Sequence, residues 1–78
     1  MTRTEMMRLR KYLNDKFETS KFEVTPSTTK DPDSAEILLA GEFLGVIYKD
    51  DEEGDISYAV QLSILEMDLP NASDASLI

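Results

Sequence analysis

Apolar residues recur along this chain with two periods. Over residues 4–18, Met6, Leu9, Leu13 and Phe17 stand 3, 4 and 4 positions apart, the spacing that lines one face of an α-helix. Thr2 precedes Glu5 by three residues, the capping-box spacing that satisfies free backbone N–H groups at a helix start. Arg3, Met7, Arg8 and Lys11 fall on the other side of the wheel, so that face is expected to be wet and basic. Glu18-Thr19-Ser20 are poor helix formers and end the element.

From residue 21 the period drops to two. Phe22 and Val24 alternate with polar neighbours in a short strand cut off by Pro26, and the Pro-, Ser-, Thr- and Asp-rich residues 26–33 make a loop. Residues 34–40 and 43–49 read as a hairpin turning on Gly41-Glu42. That turn opposes Leu39 to Leu44, Ile37 to Val46 and Ala35 to Tyr48, and it leaves Leu38, Phe43 and Ile47 on the reverse face. Residues 55–65 alternate most regularly, with Ile56, Tyr58, Val60, Leu62 and Ile64 set against Ser57, Ala59, Gln61 and Ser63. Beyond residue 68 no period survives.

The predicted fold is α+β: an N-terminal amphipathic helix packed on one face of a four-stranded antiparallel meander, in the order α-β-β-β-β. A single small domain over residues 1–68 carries a flexible tail over residues 69–78. The helix stripe should cover Ile37, Leu39, Leu44, Val46 and the whole alternating series of the last strand.

Composition narrows the chemistry. The 78 residues contain no His, no Cys and no Trp, which removes thiolate and imidazole metal sites and the usual nucleophile and base pairs. Zinc is excluded on that ground, and no cofactor is expected. No apolar run approaches the roughly 20 residues of a membrane span, and no apolar segment follows the N-terminal arginines to make a secretory signal. A cytoplasmic location follows as the expectation. The net charge is −8, unevenly spread. Residues 1–22 hold six basic side chains against three acidic ones, whereas residues 23–78 hold Lys30 and Lys49 against thirteen acids.

Taken in order and spacing, Asp33-Ser34-Ala35-Glu36, Gly41-Glu42-Phe43-Leu44-Gly45-Val46, Asp50-Asp51-Glu52-Glu53-Gly54-Asp55, Ser57-Tyr58 and Ile64-Leu65 resemble a family of short bacterial proteins called Domain of Unknown Function 3126. The resemblance covers nearly the whole chain and is strongest over residues 33–69. It implies a small stand-alone bacterial protein, and it brings no catalytic or binding residues with it. The tail after Leu69 departs from the family pattern.

The acidic residues 50–55 invite a calcium reading, because Ca²⁺ prefers clustered carboxylate and carbonyl oxygens. Aligning Gly54 with the glycine of an EF-hand loop, however, puts Lys49 at the first ligand position and Asp51 and Glu53 at the third and fifth. The remaining metal candidates are Asp51, Glu53 and Asp55, and the plainer account is a solvated hairpin loop whose charges block edge pairing. An exposed run of acids also lacks the apolar pocket that a glycosidase-like acid and base pair needs, so no enzyme activity is expected. The basic helix is opposed by the acidic remainder of the chain, and no aromatic lies on a basic sheet face, which disfavours nucleic-acid binding. The leading expectation is a small interaction module that forms a homodimer, or docks a protein partner, through Leu38, Phe43 and Ile47. The alternative is a cation or small-ligand sensor built on residues 50–55.

Overall fold

A computed structural model describes residues 1–28 and 31–74, without the side chain of Glu53. Lys30 of the predicted loop and the last four residues of the predicted tail lie outside the described residues. The chain is the α+β arrangement that the periodicities indicate: helix α1 (Arg3–Lys16), then strands β1 (Phe22–Pro26), β2 (Ser34–Leu39), β3 (Glu42–Asp50) and β4 (Ser57–Leu62). The strands form one antiparallel sheet in the order β1-β2-β3-β4. Single 3₁₀ turns occupy Glu52–Gly54 and Glu66–Asp68. Among the described residues no helix is long and apolar enough to cross a membrane.

The helix starts where its cap chemistry dictates. Thr2 Oγ1 accepts from the Glu5 backbone N–H at 3.1 Å, and Glu5 Oε1 accepts from the Thr2 N–H at 2.9 Å. At the other end the Thr19 N–H bonds to the Asn14 carbonyl and the Glu18 N–H to that of Asp15, with Glu18 at a φ of 53°. This is a Schellman closure with a glutamate where glycine is usual. The apolar stripe packs as its spacing requires, with Leu13 buried and Leu9 against the core. Phe17 stays largely exposed but sets its ring against Phe22, with centroids 5.4 Å apart.

The hairpin between β2 and β3 departs from the expected register. Its two-residue loop is Ala40-Gly41, both with positive φ (53° and 83°), and it is closed by Leu39 opposite Glu42. Two pairs further on the ladder shifts. Leu38 faces Phe43 but Ile37 faces Gly45, so Leu44 is the extra residue of a β-bulge. The bulge exchanges the faces of β3 beyond it. Ala35 opposes Ile47 and Ser34 opposes Tyr48, so Ile47 turns into the core while Val46 and Tyr48 turn out.

The expected pairing, and with it the placement of Ile47 on the reverse face, is therefore corrected. The physical reason lies in burial. Ala35, Ile37 and Ile47 are 0–1% exposed, and enclosing a side chain such as isoleucine yields about 1.5–3 kcal/mol. Holding Ala40 in the left-handed region costs only about 1–2 kcal/mol. The core that results contains Leu13, Phe22, Ile37 and Ile47, flanked by Met1, Leu9, Val24, Leu39, Leu44 and Tyr58.

A second correction concerns β4. The helix rests mainly on the β1 side of the sheet, so Val60 and Leu62, expected beneath it, are about half exposed, and Ile56 and Ile64 more so. Only Tyr58 of that series is partly covered.

Two outcomes follow for stability. Ala40→Asn supplies the residue pair Asn-Gly that this turn geometry favours and should stabilise the protein by about 0.5–1 kcal/mol in urea unfolding. Gly45→Ala should do the reverse. A Cβ there would stand 2.4 Å from the Gln61 carbonyl oxygen and 2.6 Å from Leu62 Cδ2, and forcing β3 and β4 apart should cost about 1–3 kcal/mol.

Candidate functional site

The residues singled out in the sequence are dispersed by the fold. Leu38 and Phe43 do meet, as directly opposed partners on the face away from the helix, and Phe43 is 60% exposed. Ile47 points through the sheet into the core. Asp51 and Asp55 are exposed on the connection between β3 and β4, where the Asp50 carboxylate accepts the Glu52 N–H at 3.0 Å. The Glu53 side chain lies outside the described residues. Among the described residues no group of three or more acidic side chains converges in a way that could hold a metal ion.

A polar cluster that the periodicity did not reveal joins the helix to the sheet. Glu5, in the first turn of α1, receives the Lys49 ammonium at 2.8 Å and the Tyr58 hydroxyl at 2.9 Å on its Oε2. Its Oε1 is occupied by the helix cap. Lys49 of β3 and Tyr58 of β4 are opposed on the helix side of the sheet, and the first turn of the helix stands over them. The only sequence signal for this arrangement was the capping box, which locates Glu5 at the helix start but says nothing about the strand that it reaches.

The cluster holds Glu5 and Lys49 in their charged forms and Tyr58 in its neutral one. Lys49, the Thr2 backbone N–H and Tyr58 together hold the Glu5 carboxyl down at about 2, against an ordinary value of 4.5. The hydrogen bond to Glu5 raises Lys49 and raises Tyr58. An acid this strong and a base this firmly protonated exchange no proton near pH 7, where general acid and base work requires intermediate affinity. The arrangement is a tie between elements.

A run of exposed apolar side chains extends from β4 into the segment after it. Val60, Leu62, Ile64, Leu65, Met67 and Leu69 are 48–84% exposed. In the segment that follows β4, backbone hydrogen bonds run locally from Asp68 to Leu65, Leu69 to Glu66 and Asp74 to Asn71. Beside this surface β4 carries no charged residue. Arg3, Arg8, Arg10 and Lys11 of α1 are exposed, with Lys11 paired to Asp15 at 2.9 Å and Arg8 beside Tyr58 of β4.

The Glu5 tie has a pH signature. A carboxylate with a depressed pKa contributes stability that is present above its unfolded value near 4.5 and is lost as the pH falls through about 2. Glu5→Gln should therefore be less stable than the wild-type chain at pH 7, and the difference should shrink between pH 4.5 and 2. Thermal unfolding followed by circular dichroism across that range reads the effect.

No curated protein and no solved structure matches the chain. The family described as a protein of unknown function, DUF3126, matches residues 5–68, a span that takes in α1, all four strands and the Glu5, Lys49 and Tyr58 tie. With most of its length matched, the chain belongs to the DUF3126 family.

Proposed function

We propose that this chain is a non-enzymatic protein-interaction module of the bacterial cytoplasm, which associates with itself or docks a protein partner through an apolar sheet surface. The observation that carries this reading is the exposed apolar run of β4 and the segment after it, with Val60 and Leu62 on the face of the sheet where the helix packs. Patches of this kind mark interfaces more often than they mark free surface. A domain of this length also encloses a modest core alone, so association adds to its stability. The perturbed groups at Glu5, Lys49 and Tyr58 are spent on holding the fold. That supports a role through surfaces rather than through chemistry.

The face bearing Leu38 and Phe43, with Val46 and Tyr48 beside them, is a second apolar surface, on which Leu38 and Val46 are partly buried. The sensor reading of residues 50–55 has no comparable support, because among the described residues the exposed acids do not converge. Light scattering over a hundredfold concentration range tests the proposal. The mass should rise above the 8.8 kDa of one chain, Leu62→Glu should return it to the monomer value, and Phe43→Glu should leave it unchanged. A mass fixed at that of one chain throughout would remove self-association.

A further inference from the structure

The two edges of the sheet differ in a way that identifies what would cover the open one. At the β1 edge the Asn14 side chain of the helix occupies the backbone of Phe22, accepting its N–H at 2.8 Å and donating to its carbonyl at 3.3 Å. Pro26 offers no N–H at the end of the same strand. That edge is closed to a further strand. The β4 edge has none of the devices that keep an edge strand unpaired, for Ser57–Leu62 contains no proline, no charge and no bulge.

We propose that the occupant of this edge is β4 of a second copy, paired antiparallel about a two-fold axis; the inference rests on the self-association reading and gives it a geometry. Charge commits the edge to that occupant. Residues 56–65 are ten consecutive uncharged residues in a chain of which 31% is charged and which carries a net −8. Two such chains repel at long range, and along this strand they meet without setting acid against acid. A two-fold axis also brings the residue on it against itself, where any charge would oppose its like. A basic partner strand would instead call for acids on the edge, and β4 has none.

Symmetry requires one residue to oppose itself across the axis, and the apolar alternation from Ile56 to Ile64 selects which. For antiparallel edge pairing the axis must stand perpendicular to the sheet, so both helices lie on the same side and residues of like orientation oppose each other. Opposing the neutral stretch from Ile56 to Ile64 to itself centres the axis on Val60. Leu62 then faces Tyr58 of the second copy, and Ile64 faces Ile56. The result is an eight-stranded sheet in which the apolar side chains left open by one helix are laid against those left open by the other.

The absence of native cysteine makes the test direct. Val60→Cys and, as the outer-face comparison, Phe43→Cys are each mass-measured by light scattering and then treated with a short thiol-to-thiol cross-linker. At a two-fold axis the paired thiols have a millimolar effective concentration, so the Val60→Cys dimer should link about tenfold or more faster than the Phe43→Cys chain. A dimeric mass in which Val60→Cys fails to link, or links no faster than Phe43→Cys, overturns the β4 pairing and leaves self-association standing. A monomeric mass for both variants and for the parent chain overturns the pairing and self-association together.

Discussion

One extra residue in β3 decides which side chains this protein encloses. Without the bulge at Leu44, the register set by the Ala40-Gly41 turn would point Ile47 away from the helix and leave Val46 facing Ile37's side of the sheet. With it, Ile37, Ala35 and Ile47 share the helix face and become the three most completely enclosed residues. The strained alanine in the turn, the missing side chain at Gly45 and the close approach of Leu62 are parts of the same solution. Gly45 occupies the point where β3 bends and where the β4 backbone comes nearest, a place with no room for a Cβ.

The helix then reaches only part of the sheet. Its last turns lie against β1, with Leu13 and Phe17 near Phe22, while its first turn bonds to Lys49 and Tyr58 through Glu5. A helix of 14 residues spans about 21 Å, and lying mainly against β1 it leaves Val60 and Leu62 of β4 about half exposed. The open apolar surface is thus a consequence of helix length and of the Glu5 tie, which fixes where the first turn sits.

Periodicity in the sequence located the helix, the four strands and the fold class, because amphipathic spacing survives whatever the tertiary contacts, but it did not mark the 3₁₀ turns at Glu52–Gly54 and Glu66–Asp68. It could not locate the bulge, since apolar residues stand at both odd and even positions through 43–48 and favour neither register. The signal that was present was Gly45 inside a strand, a position where glycine marks a bulge or a close backbone approach. Misplacing that one residue moved Ile47 from the core to the proposed surface. The exposure of Val60 and Leu62 was hidden for a different reason: an alternating strand reads as half-buried whether the mate of its apolar face is a helix of the same chain or another molecule. Glu5 was visible as a cap, but its bonds to Lys49 and Tyr58 depend on how the helix crosses the sheet, which local spacing does not encode.

The hydrogen bond between Tyr58 and Glu5 joins residues 53 positions apart. During synthesis the helix leaves the ribosome first, yet the groups that fix its first turn come from β3 and β4. A short helix has little stability in water by itself, and closing so long a loop is slow compared with forming local structure. The N-terminal segment must therefore wait, largely unformed, until nearly the whole domain has been made. The uncharged strand β4 emerges among the last parts of the fold, when the β3 edge that it pairs with has already been made.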